Sequence, residues 1–92
     1  MRILVTPTFE RAVKKLHRQQ KLALDEAVRT IASRPEVGET KVGDLAGVQV
    51  YKFRMEQLLC LLAYRVVDQN TLKLLMLGPH ENFYRDLKRI EH

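Results

Sequence analysis

The stretch that most limits how this chain can fold is Leu58-Leu59-Cys60-Leu61-Leu62-Ala63-Tyr64-Arg65-Val66-Val67, which is apolar on both faces over most of its length. That pattern describes a central strand covered on either side. A turn signal, Asp68-Gln69-Asn70, follows it, and then a second mostly apolar run from Thr71 to Leu77 that stops at Gly78. Such short connections leave room for little besides an antiparallel hairpin through the middle of a sheet.

Upstream, Val48 to Met55 alternates, with Gln49, Tyr51, Phe53 and Met55 on one side and Val48, Val50, Lys52 and Arg54 on the other. The alternation predicts a strand with two different faces. Tyr51, Phe53 and Met55 are expected to point toward helices, and Lys52 and Arg54 to stand side by side on the opposite face. The three strands make an antiparallel meander.

Ile3 to Val5 reads as a first strand, halted by Pro7. Thr8 is a candidate cap for a helix over Phe9 to about Arg18, with Phe9, Val13 and Leu16 on one face. A second helix is expected from Gln20 to Ser33, carried by Leu24, Val28 and Ile31 and ended before Pro35. Residues 36–47, with Gly38, Gly43 and Gly47, lack sustained periodicity and read as a loop. From Asn82 to Ile90, the stripe Phe83, Leu87, Ile90 predicts a final short amphipathic helix. The order is β-α-α-β-β-β-α, an α+β fold in which a helical hairpin packs on a small, mainly antiparallel sheet.

Ninety-two residues can bury one core, so a single domain over residues 1–92 is expected. A content of 46% apolar and 29% charged residues is that of a folded chain rather than a disordered one. The net charge of +5 suits a polyanionic partner. Arg11, Lys14, Lys15, Arg18 and Lys21 carry positive charge with no acid between positions 11 and 21. By default this is a solvated helix face, and it becomes a candidate phosphate-contacting patch where other residues establish RNA binding.

Cys60 has no partner for an internal disulfide and lies in an apolar run, as a buried structural thiol in a reducing compartment would. No apolar stretch approaches the ~18 residues of a membrane span, and a cytoplasmic location is expected. There is no Cys/His metal spacing, phosphate-binding glycine loop or Ser/His/Asp order, so neither metal nor organic cofactor is expected. His17 and His92 read as exposed bystanders.

Tyr51-Lys52-Phe53-Arg54 resembles the Tyr-Lys-x-Lys strand of the RelE/ParE superfamily of bacterial toxin-antitoxin modules. Leu45-Ala46-Gly47 is similar to the Leu-x-Gly that precedes it, and the spacing to Ala63-Tyr64-Arg65-Val66-Val67-Asp68 is similar without gaps. The likeness covers essentially the whole chain and is nearest to RelE- and YafQ-type mRNA interferases. It implies a ribosome-dependent endoribonuclease whose catalytic residues fall on Lys52, Arg54, His80 and Tyr84. Gly78-Pro79-His80-Glu81-Asn82-Phe83 looks like the Gly-x-His region of YafQ-type members, where the histidine is catalytic. The middle-strand arginine of RelE-type members falls on Leu61 here, with Arg65 four residues later on the same strand face as its candidate substitute.

Metal-free RNA cleavage needs a base, an acid and cations for the charge that grows on the phosphorane. Histidine exchanges protons near neutral pH, so His80 is the candidate acid or base. Lys52 and Arg54 are assigned to the phosphate and transition state, with Arg65, Lys14, Lys15 and Arg18 as further phosphate contacts. Tyr84 either stacks on a splayed base or donates a hydrogen bond to phosphate. The resemblance also implies a cognate antitoxin and the ribosome with its mRNA as partners. It leaves open a ParE-like gyrase inhibitor without nuclease activity, or an inactive homologue.

Overall fold

The computed structural model describes residues 1–91. Five strands, β1 (Arg2–Val5), β2 (Glu39–Thr40), β3 (Gln49–Met55), β4 (Leu58–Asp68) and β5 (Thr71–Pro79), form one sheet in the order β1-β5-β4-β3-β2. Three α-helices flank it: α1 (Pro7–Lys14), α2 (Arg18–Ser33) and α3 (Phe83–Ile90). The β3-β4-β5 meander is antiparallel, as the runs and turns predict. β1 extends it on one side by pairing parallel with β5, and β2 adds a two-residue edge to β3 on the other.

Two apolar layers account for the two-faced apolarity of β4 over residues 60–64, whereas Leu58, Leu59, Val66 and Val67 at its ends, expected to be covered as well, are exposed. On one side Leu62, Tyr64, Leu72 and Leu74 pack with Phe9 of α1 and Leu24, Ala27 and Ile31 of α2, and Tyr51, Phe53 and Met55 of β3 join them. On the other, Leu61, Ala63, Val50 and Val48 pack with Phe83 and Leu87 of α3. The β4-β5 register slips between Ala63 and Tyr64, where β5 carries the extra residue Leu75. Such a bulge sets neighbouring side chains on one face, and here Leu75 and Met76 both join the α3 layer. Cys60 is buried, and desolvation pushes its thiol pKa upward. No helix among the described residues is long and apolar enough to cross a membrane.

The helical hairpin differs in detail from its sequence reading. Thr6, not Thr8, caps α1: its hydroxyl accepts from Phe9 N at 3.0 Å and donates to the carbonyl of bulge residue Leu75 at 2.6 Å. Pro7 decides this, since proline belongs at the first helical position, directly after the cap. α1 ends at Lys14 rather than near Arg18, and α2 starts at Arg18, where the Gln20 side chain accepts from His17 N at 3.1 Å. No glycine or proline marks that break. The stretch read as loop contains β2, which pairs Glu39 with Val50 and Thr40 with Gln49.

Tyr64 ties this connection to the sheet. Its fully buried hydroxyl donates to Pro35 O at 2.6 Å and accepts from Gly38 N at 3.0 Å. A Cβ on Gly38 would lie 2.5 Å from that oxygen, so only glycine fits there. Burial pushes the Tyr64 pKa up, and its proton stays on as the donor. Tyr64→Phe should therefore leave a buried donor and acceptor unpaired and cost about 1–3 kcal/mol in urea unfolding. An unchanged midpoint would mean water replaces the hydroxyl at no cost.

Candidate active site

The site is built where β5 hands over to α3. After Pro79 the chain turns through His80-Glu81-Asn82, with Phe83 N donating to His80 O at 3.2 Å. Asn82 caps α3 in the left-handed region at φ 60°, a conformation asparagine tolerates better than most residues. This turn points Phe83 into the α3 layer, 1% exposed, and sets His80 and Tyr84 beside each other above it. The His80 and Tyr84 rings meet edge to face, with centroids 5.9 Å apart and planes at 81°. Phe83 meets the Tyr84 ring in the same way at 5.6 Å.

Lys52 and Arg54 are exposed on β3, on the sheet face that carries α3. Register aligns Lys52 with Leu61 of β4 and Leu61 with Gly78 of β5, while Arg54 lies opposite Leu59. Two strand spacings separate Lys52 from Gly78, about 10 Å. The fold thus brings the two cations and the His80-Tyr84 pair to one face. Neither Lys52 nor Arg54 has a carboxylate within 4.0 Å among the described residues, so their charge faces solvent unneutralised. Leu61, between Lys52 and Gly78, is fully buried and forms an apolar floor.

One residue of this cluster escapes the sequence reading. Lys41, just past β2, holds its Nζ 4.7 Å from the centre of the Tyr84 ring and 3.2 Å from Glu39 Oε1. Desolvation lowers its pKa, but Tyr84 and Glu39 raise it by more, so the net shift is upward and the ammonium is charged at neutral pH. Lysine in an aperiodic, glycine-containing stretch has no assignable face. Only the β2-β3 pairing orients it.

A family model for the ParE-like toxin of type II bacterial toxin-antitoxin systems matches residues 3–88. The chain belongs to this toxin family. Its fold is also that of E. coli RelE. A mutant of that toxin in the free state superimposes with a TM-score of 0.73 at 13% identity, covering 98% of this chain and 92% of the other. The toxin within the intact E. coli RelBE toxin-antitoxin complex gives 0.69 at 16% identity, over 87% of this chain and 96% of that one. The isolated E. coli RelE toxin gives 0.67 at 17%, over 97% of each. Comparison with curated protein sequences gives no match.

In this ParE-like toxin the remaining basic candidates lie elsewhere. Arg65 shares a strand face with Leu61, but its guanidinium is engaged. Nε and Nη2 donate to Glu91 Oε1 at 2.8 and 2.7 Å, and Nη1 to Ala46 O at 3.2 Å. Gly47, at φ 87°, leaves room for this clamp, since a Cβ there would stand 2.6 Å from Nη1. Arg65 thus fastens the end of α3 to the loop before β3. Arg65→Ala is expected to cost about 1–3 kcal/mol, because Glu91 is left shielded without its partner. Thermal unfolding checks this, and an unchanged melting temperature would show that the clamp contributes nothing.

Lys14, Lys15 and Arg18 are exposed on α1, its exit and the start of α2, the helical layer on the opposite side of the toxin's sheet. The structure does not bring them to the His80-Tyr84 pair. His17 is exposed, with Nε2 2.9 Å from Glu56 Oε1, linking the helical hairpin to the β3-β4 turn. His92 lies outside the described residues. Among the described residues no group of three His, Cys, Asp or Glu side chains is placed to hold a metal.

Proposed function

We propose that this toxin is a ribosome-dependent endoribonuclease, cutting mRNA in the A site and so arresting translation. One observation carries the reading: His80 and Tyr84 stand edge to face at the start of α3, on the sheet face where Lys52 and Arg54 have no carboxylate partner among the described residues. A proton-transfer group beside uncompensated cations is what metal-independent cleavage requires. The RNA 2′-hydroxyl loses its proton and attacks the adjacent phosphorus. The P–O5′ bond breaks, the 5′-oxygen takes up a proton, and a 2′,3′-cyclic phosphate remains. His80 is the acid or base of this step, Lys52 and Arg54 hold the phosphate, and Tyr84 orients the strand. The toxin would act as one domain over residues 1–92 in the cytoplasm.

The partner of this reading is an antitoxin segment, an acidic or amphipathic helix that folds onto the toxin. The net charge of +5 favours it, and so does the apolar groove lined by Phe9, Val13, Leu24, Val28 and Leu74 between the helices and the sheet. In the E. coli RelBE complex the toxin is likewise paired with an antitoxin.

Leu61 favours a second reading, gyrase inhibition. Its position supplies no cation, and a ParE-like gyrase binder needs no nuclease site. Mapping RNA 5′ ends in cells expressing the toxin separates the two. Codon-positioned cuts on translated messages support the nuclease, whereas DNA breaks with intact messages support gyrase inhibition.

A further inference from the structure

We propose that Lys41 is a third cation of the cleavage site, contacting the phosphate at the cut from the Tyr84 side, an inference that rests on the nuclease reading above. The first observation is its setting. Lysine is among the side chains least often taken from water, yet the Lys41 side chain is only 20% exposed and its carboxylate partner among the described residues, Glu39, is 60% exposed. A lysine serving solubility alone would extend into solvent.

The second is direction. β2 pairs Glu39 with Val50, and Lys41 N donates to Val48 O at 2.9 Å, so the extended backbone continues one residue past the strand. Alternation then sends Glu39 and Lys41 to the side of Val48 and Val50, which is the α3 side. Along β3, Val48 and Lys52 are about 13 Å apart at the usual rise. Lys41 and Lys52 therefore approach the face from its two ends, with Tyr84 and His80 on the neighbouring helix start.

The third is the shortage of positive charge. Growing negative charge on the phosphorane calls for fixed cations. Leu61 offers none, and the Arg65 guanidinium is spent on Glu91 and Ala46. The Lys41 ammonium is in contact with the Tyr84 ring. Its exposed Glu39 partner holds the ammonium in place until a phosphate replaces it. With the ammonium on one face of the Tyr84 ring, that face is closed to a stacking base.

The test is single-turnover cleavage on ribosomes programmed with a defined mRNA, using Lys41→Met, which keeps the apolar stem and removes the charge. The rate should fall by about 10²-fold, the effect of losing one preorganised electrostatic contact, while the ribosome concentration at half-saturation and the urea midpoint stay near wild type. Lys41→Arg should recover most of the rate. A Lys41→Met rate equal to wild type overturns the inference alone. So does an arginine variant as slow as the methionine one, with both midpoints lowered, since Lys41 would then be a packing residue. If the wild-type toxin cuts nothing on the ribosome, the nuclease reading fails first and takes the inference with it.

Discussion

Replacing His80 by alanine is expected to lower cleavage on programmed ribosomes by about 10²- to 10⁴-fold, the usual share of a positioned proton-transfer group. The fold should not notice. His80 is exposed, its side chain meets Tyr84 at 5.9 Å, and the hydrogen bond from Phe83 N goes to its backbone oxygen, which alanine keeps. Expressing cells should therefore recover growth while the variant accumulates normally and unfolds at the wild-type urea concentration. A fully toxic, fully active His80→Ala protein would remove the histidine from the chemistry.

The largest stability effect is expected one turn further on. Phe83 is 1% exposed and, with Leu87, is the apolar attachment of the eight-residue α3 to the sheet. Truncating such a ring to alanine costs about 3–5 kcal/mol, against a total of about 5–15 kcal/mol for an ordinary domain. A helix of this length does not persist without its tertiary contacts. Phe83→Ala should thus lower the urea midpoint sharply and, by releasing α3, also scatter His80, Tyr84 and the Glu91 clamp on Arg65. Activity should fall even under conditions where the sheet remains folded. A variant with near-wild-type midpoint and activity would show that α3 is held by something other than this ring.

What could be read in the sequence was what side chains record. The two-faced apolarity in the middle of β4, the alternation of β3 and the Phe83-Leu87 part of the α3 stripe each reflect burial, so the meander, its faces and the final helix were visible, while Ile90 and the apolar ends of β4 are exposed. β2 was not, because the edge of β3 is satisfied by backbone groups of Glu39 and Thr40 and asks nothing of their side chains. Lys41 was hidden for the same reason. Thr6 and Thr8 both suit a cap, and the choice turned on Pro7. The shared strand face of Leu61 and Arg65 could be anticipated from alternation, but the engagement of Arg65 by Glu91, 26 residues away, could not. Helical spacing placed Lys14, Lys15 and Arg18 on a helix surface without saying which side of the sheet that helix would cover.

The central claim is tested most directly with purified toxin, ribosomes carrying a defined codon in the A site, and the same mRNA without ribosomes. A nuclease of the proposed kind yields new 5′ ends within the A-site codon, upstream fragments bearing 2′,3′-cyclic phosphate, and no cutting of the naked message. An intact message on the ribosome, with DNA breaks in a parallel gyrase reaction, would contradict it.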